Sequence, residues 1–177
     1  MKKWVTMAFF SLIATLPFQK GFAQAAEENG GYVLNVGDKS ADFSVELLSG
    51  KHIKLSDQRG KVVLISFWAT WCGPCMQELH HLPAALETYK GGDFLWLPIS
   101  RGETRIVVQK KMAELEKQGI TFVPGLDPDK SIWSKYATIY IPKNFLIDKN
   151  GVIRYVSTGF GEDKLQELLG KIDELME

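Results

Sequence analysis

The chain contains two cysteines, Cys72 and Cys75, set three residues apart in the run Trp71-Cys72-Gly73-Pro74-Cys75. Two thiols at that spacing can close and reopen a disulfide, or supply half of a tetrahedral zinc site. A zinc site needs further ligands, and the histidines are limited to His52, His80 and His81, so no metal is expected. A disulfide closing so short a loop removes little chain entropy, which makes a structural staple a poor use for the pair. Redox exchange is the chemistry that remains. On a helix, positions i and i+3 share one face. Cys72 at a helix start would meet free backbone N–H groups and the positive end of the dipole, both of which favour a thiolate. Pro74 lacks an N–H that would be unpaired there in any case. Cys75, further in and shielded, could attack a mixed disulfide formed on Cys72.

Magnitudes show where such a pair gains. Lowering a thiol pKa from about 8.5 to about 7 raises its thiolate fraction at pH 7 roughly 16-fold. Intrinsic nucleophilicity falls about 5-fold over the same shift, leaving a net gain of about 3-fold. The larger benefits are Cys72 as a good leaving group and Cys75 held close at high effective concentration. No cofactor is required beyond the Cys72–Cys75 disulfide itself.

The surrounding elements must hold the pair in place. Val62 to Trp68 is a nearly continuous apolar run rich in β-branched residues, the pattern of a central strand buried on both faces. Ala69-Thr70-Trp71 connects it to helical sequence from Cys72 to about Tyr89, with Pro83 expected to kink or interrupt that helix. Upstream, Phe43 to Leu48 and His52 to Leu55 flank Ser49-Gly50-Lys51 as a hairpin. Downstream, Phe94 to Ile99 reads as a strand, and Glu103 to Gln118 as an amphipathic helix closed by Gly119. In that helix Ile106, Val107, Val108, Met112 and Leu115 are expected to face the core. Thr121 to Val123 is read as a short strand and Ser131 to Tyr136 as a short helix. Asn144 to Ile147 and Val152 to Ser157 flank Asp148-Lys149-Asn150-Gly151, whose Asn-Gly is a strong hairpin signal. Leu165, Leu168, Leu169, Ile172 and Leu175 form the apolar stripe of a last helix. The plan is mixed α/β on one sheet.

With 177 residues, 45% apolar and 24% charged, the chain fits one globular domain. Basic and acidic residues balance at 21 each, which gives no electrostatic case for nucleic acid. Lys2 and Lys3 precede the uncharged, mostly apolar stretch Trp4 to Leu16, and small residues follow near Ala23 and Ala25. That is the layout of a secretory signal, too short for the roughly 20 residues that span a bilayer. The expected organisation is a signal peptide over 1–25, a linker over 26–31 and one domain over 32–177. Cleavage after Ala23 or after Ala25 both fit. Without residues 1–25 the chain has 18 basic and 21 acidic residues, a net charge of −3. The expected location is the periplasm, with tethering to the membrane if the signal stays uncleaved. Lipid attachment would need a cysteine at the cleavage site, where none stands.

Phe67-Trp68-Ala69-Thr70-Trp71-Cys72-Gly73-Pro74-Cys75 resembles the active-site segment of thioredoxin-fold proteins. Ile141-Pro142, followed by Asn144-Phe145-Leu146-Ile147-Asp148, resembles that fold's proline loop and next strand. With the upstream hairpin, Gly37-Asp38 and Asp42-Phe43, the chain is similar over about residues 32–175 to the exported TlpA/ResA-type subfamily. The resemblance implies a thioredoxin fold: a central mixed β-sheet flanked by helices, with an N-terminal β-hairpin extension and an inserted strand/helix segment. It also implies a cis peptide before Pro142 facing the cysteines, and a backbone at Ile141 that pairs with an extended substrate segment. Trp71, Gly73 and Pro74 would contact substrate, whereas Trp68 is expected to be packed. Thioredoxin carries a buried Asp six residues before its first active cysteine; here that position is Ser66. Glu78 matches a glutamate that lies near the cysteine pair in TlpA/ResA-type proteins and could accept the Cys75 proton. The alternative for Glu78 is a solvated helix position. His80 and His81 are read as surface helix residues.

The resemblance implies disulfide exchange with protein thiols and disulfides, in the direction of reduction, with cytochrome c maturation as one role. The expected partners are those proteins and an upstream membrane or periplasmic electron donor, the chain acting as a monomer. A peroxiredoxin-like peroxidase is the enzymatic alternative, but its P-x-x-x-T-x-x-C pattern is not matched before Cys72. A copper-binding chaperone of thioredoxin fold would need a further ligand, commonly a downstream His, and no His follows His81.

Overall fold

The computed structural model describes residues 30–177. The expected signal peptide and residues 26–29 of the expected linker lie outside the described residues. Gly30 and Gly31 already touch the domain: the Gly30 carbonyl accepts from the buried Lys143 ammonium, and the Gly31 carbonyl accepts from the Thr138 N–H at 2.8 Å.

Seven strands form one sheet. They are β1 (Ser44–Leu47), β2 (His52–Lys54), β3 (Val62–Trp68), β4 (Phe94–Arg101), β5 (Gly125–Asp127), β6 (Lys143–Ile147) and β7 (Ile153–Thr158). Their spatial order is β2-β1-β5-β4-β3-β6-β7. Strands β3, β4 and β5 run parallel, and β6 and β7 on one side and β1 and β2 on the other add antiparallel. The helices are α1 (Gly73–Ala85), α2 (Arg105–Glu116), α3 (Trp133–Tyr136) and α4 (Glu162–Met176).

Every residue of β3 is buried, as its unbroken apolar run requires. Side chains alternate across a strand, so β3 feeds two cores. Val63, Ile65 and Phe67 join Phe43, Trp133, Tyr136 and Phe145 on one face. Val62 and Leu64 join Leu82 and Leu86 from the α1 end and Leu165, Leu168 and Ile172 of α4 on the other. Phe67 packs among aromatic rings, with centroids 5.2 Å from Trp133, 5.7 Å from Tyr136 and 6.1 Å from Phe145. Both hairpins form as expected. Gly151 in the second has φ +82°, the left-handed region that favours glycine, and a Cβ there would also have to displace the Arg59 guanidinium.

Three expectations are corrected. The short strand is Gly125–Asp127, not Thr121–Val123. Gly125 and Asp127 are poor strand formers, and both are placed by tertiary demands. A Cβ on Gly125 would meet Val45 at 2.7 Å, and the Asp127 carboxylate caps α3 by accepting from the Ile132 and Trp133 N–H groups. In α2 only Val108 and Leu115 are buried, with Met112 partly so, whereas Ile106 and Val107 are 65% and 42% exposed. The inward stripe runs 108, 112, 115, and residues 106 and 107 fall on the other side of the helical wheel. The first helix ends at Ala85, two residues beyond Pro83, and Glu87–Tyr89 continues as a 3₁₀ turn. Gly119 closes α2 as expected: it has φ +80°, and the Ile120 N–H returns to the Leu115 carbonyl.

Because Phe67 is fully buried against the Trp133, Tyr136 and Phe145 rings, Phe67→Ala should lower unfolding stability by about 3–5 kcal/mol. Urea denaturation of the oxidised protein measures it.

Candidate active site

β3 ends at Trp68, and the chain turns through Ala69-Thr70-Trp71 into α1. Cys72 is the N-cap residue, with extended backbone (φ −90°, ψ 106°), and its Sγ accepts the Cys75 N–H at 3.2 Å. A sulfur therefore occupies the place where Ser, Asp or Asn usually satisfies a free helix N–H. Pro74 lies in the first turn, as its missing donor allows. Cys72 and Cys75 are joined as a disulfide, S–S 2.06 Å. Cys72 retains 5% exposure and Cys75 none, so one sulfur is reachable and the other is sealed.

The Ile141–Pro142 peptide is cis, and the Ile141 carbonyl oxygen lies 3.7 Å from Cys72 Sγ. The loop is pinned from behind by the Gly159 N–H, which donates to the Pro142 carbonyl at 2.8 Å. Trp71, Cys72, Gly73, Pro74 and Ile141 line one open groove of about 390 Å³, and Tyr140 and Arg101 complete it. Trp71 is 69% exposed, whereas Trp68 is buried with its ring 5.9 Å from Phe122. His80 is exposed, and His81 stacks on Phe160 at 5.4 Å. No group of three or more His, Cys, Asp or Glu side chains able to hold a metal occurs among the described residues.

Glu78 is 4% exposed, which overturns the solvated alternative. Its Oε1 accepts from the Asn144 side-chain amide at 2.5 Å, while Oε2 has no hydrogen-bond partner among the described residues. Burial penalises the carboxylate and pushes its pKa up to about 7, against which the Asn144 hydrogen bond acts only in part. Asn144 pairs in register with Ser66 across β3 and β6. Ser66, at the position where thioredoxin carries its Asp, accepts a hydrogen bond from Trp96 Nε1 at 3.0 Å. The buried carboxyl thus comes from the helix instead of the strand.

Sequence reasoning missed a second buried carboxylate. Glu103 accepts from the Thr70 N–H at 2.9 Å, from Thr70 Oγ1 at 2.6 Å and from Ser100 Oγ at 2.7 Å. It ties the turn before Cys72 to the end of β4. Arg101 and Asn144 were missed as well. The usable signal was position, since ligand sites in such sheets gather at the carboxyl ends of parallel strands, and β4 ends at Arg101.

A mixed sheet with a cysteine capping a helix, a sealed partner cysteine one turn on and a cis-proline loop facing them defines the thioredoxin-fold thiol–disulfide oxidoreductases. The AhpC/TSA family profile matches residues 36–156. A thiol-disulfide oxidoreductase ResA of Geobacillus kaustophilus is 36% identical over 124 residues, 70% of each chain. The ResA of Bacillus subtilis is 32% identical over 126 residues, 71% of this chain and 69% of its own. A Chlorobium tepidum structure, described provisionally as a thiol:disulfide interchange protein DsbE, superposes with TM-score 0.73 at 30% identity, over 81% of this chain and 99% of that one. The chain belongs to the thioredoxin-like AhpC/TSA family, beside relatives named ResA, and it is a thiol–disulfide oxidoreductase.

Two predictions follow from the buried carboxylates. The folded-state pKa of Glu78 lies above its ordinary value of 4.5, so its contribution to stability is full below about pH 4.5 and is lost as pH rises through about 7. Between pH 5 and pH 8 the wild type should therefore lose on the order of 2–3 kcal/mol that Glu78→Gln does not. Urea midpoints of the two oxidised proteins at both pH values test it. Glu103→Ala leaves three donors without their acceptor and should destabilise the fold by about 2–4 kcal/mol. It should also speed amide hydrogen exchange at Thr70, read by NMR.

Proposed function

We propose that this chain is an exported protein-disulfide reductase in which Cys72 attacks and Cys75 resolves. The observation that carries this reading is the asymmetry of the pair: an N-capping sulfur at an open groove and a fully sealed one behind it. In the reduced enzyme the Cys72 thiolate attacks one sulfur of a substrate disulfide. A Cys72–substrate bond forms, and the second substrate sulfur leaves as a thiolate and is protonated. Cys75 gives up its proton and attacks Cys72 Sγ, which breaks the mixed bond and releases the second substrate thiol. The substrate gains two electrons and two protons, and the enzyme is left as the Cys72–Cys75 disulfide. An extracytoplasmic electron donor at or near the membrane restores the dithiol.

Glu78 is the acceptor we assign to the Cys75 proton. It sits three residues along α1 from Cys75, and a pKa near 7 makes it half-ionised at neutral pH, where a general base works best. The Ile141 backbone and the exposed Trp71, Gly73 and Pro74 would hold an extended substrate segment along the groove. The Gly73-Pro74 pair supports reduction over oxidation. The basic start at Lys2 and Lys3 and the apolar Trp4 to Leu16 stretch support export to the periplasm, where the domain acts as a monomer. The ResA-type resemblance favours apocytochrome thiols in cytochrome c maturation as substrates within this class.

Cys72→Ser should abolish reduction of a disulfide-bonded protein, and Cys75→Ala should accumulate adducts that dithiothreitol cleaves. Purification of the Cys75→Ala form from its native compartment, followed by mass spectrometry, tests both the chemistry and the location. Retained reduction in Cys72→Ser would overturn the assignment.

A further inference from the structure

Arg101 is the last residue of β4 and the one cationic side chain among the residues that line the cysteine groove. Its guanidinium carbon lies 4.5 Å from the centroid of the Trp133 ring and over its face, so the cation rests on an aromatic platform. Its Nε is buried without a hydrogen-bond partner, and no hydrogen bond or ion pair within 4.0 Å joins its side chain to any described residue.

Two carboxylates stand close enough to influence it, Asp127 and Glu103, yet both are committed elsewhere. Asp127 Oδ1 accepts from the Ile132 N–H and the Ser131 hydroxyl, and Oδ2 accepts from the Trp133 N–H. Glu103 Oε1 accepts from the Thr70 hydroxyl, and Oε2 from the Thr70 N–H and the Ser100 hydroxyl. A guanidinium has five donors in a fixed fork that matches a carboxylate. A half-buried one with no acceptor, in the groove of the reacting sulfur, is explained when the acceptor arrives with the substrate.

We propose that Arg101 forms a carboxylate subsite in the Cys72 groove, selecting protein substrates that carry an Asp or Glu within two residues of the reacting cysteine. The short spacing is part of the proposal and rests on both groups lining one groove. Cys72 and Arg101 line the same cleft, and an extended segment lying along Ile141 advances about 3.3 Å per residue. The Trp133 platform restrains the guanidinium before substrate arrives, so less side-chain freedom is lost on pairing. The inference rests on the exchange reading above, because it assigns specificity to that site.

The test uses extended peptides with a serine at the reacting position and a Glu one or two residues to either side, each matched by its Gln counterpart with an amidated C-terminus. Added to the oxidised wild type, at least one Glu peptide should shift the Arg101 Nε–Hε NMR resonance, and its Gln counterpart should not. A free carboxylate such as acetate, added at the same concentration, separates a side chain held by the groove from simple anion binding. Acetate shifting the resonance as strongly as the peptide would overturn the proposal. In kinetics with cysteine-bearing disulfide peptides, kcat/KM should favour Glu over Gln by roughly fivefold at low salt, the upper end for a partly exposed ion pair. The preference should shrink in high salt, fall to about one in Arg101→Gln, and survive in part in Arg101→Lys. Equal losses on both peptides, with the preference intact, would mean that Arg101 acts on Cys72 or on the fold and would overturn the subsite. Binding is read with serine peptides, so failure of every peptide to exchange would count against the reductase reading while the resonance shift still decided the subsite.

Discussion

The structure depends on a sulfur atom serving as the cap of a helix. Helix α1 begins with donors that have no carbonyl partners, and Cys72 Sγ takes the Cys75 N–H. This one hydrogen bond requires that the chain leave β3 in an extended conformation and enter the helix abruptly at Gly73. It also requires the two sulfurs to lie on one side of the first turn. The buried strand, the short turn and the proline in the first turn all serve that entry. Glu103, accepting both Thr70 donors, holds the turn from below. The cis-proline loop, held by Gly159, brings the Ile141 carbonyl to the exposed side of the same sulfur.

In the proposed exchange the proton of the sealed Cys75 goes to a buried carboxyl. In thioredoxin-fold chains that group can come from the strand beneath the helix. Here the strand position is Ser66, which is engaged by the Trp96 indole, and the carboxyl descends from α1 at Glu78 onto Asn144 of the neighbouring strand. Ser66 and Asn144 are register partners, so the exchange of strand carboxylate for helix carboxylate is made across adjacent positions on one sheet face. The cost of burying Glu78 is what moves its pKa to about 7. Instability of the charged form and the base role proposed for Glu78 near neutral pH have the same cause.

The two acidic anchors, Asp127 and Glu103, have a similar logic. Each is buried and each spends its oxygens on backbone or hydroxyl donors that fix a neighbouring turn. Each accepts three hydrogen bonds, none of them from the Arg101 fork, although both charges are close. The carboxyl end of β4 therefore holds a cation with carboxylates nearby but no hydrogen bond to either of them.

The sequence by itself determined the elements whose signals are local and repeated. The unbroken β-branched run of β3, the Asn-Gly turn at Asn150-Gly151, the stripe of α4 and the Cys72–Cys75 spacing each state their structure within a few residues. Side-chain periodicity and turn chemistry act at that range, and they were enough to read a mixed α/β plan on one sheet and to single out the cysteine pair; the thioredoxin fold itself came from the resemblance of the longer motifs. Only the tertiary structure decided the rest. Gly125–Asp127 became a strand despite its residue types, because β1 and β4 offered a slot too narrow for a Cβ and α3 needed a cap. Ile106 and Val107 turned outward because the phase of α2 is set by where Val108 and Leu115 dock. The burial of Glu78, its pairing with Asn144 66 residues away, and the arrival of Arg101 beside Cys72 are contacts between distant segments. No local pattern encodes such contacts, since packing of the sheet and helices alone brings those atoms together.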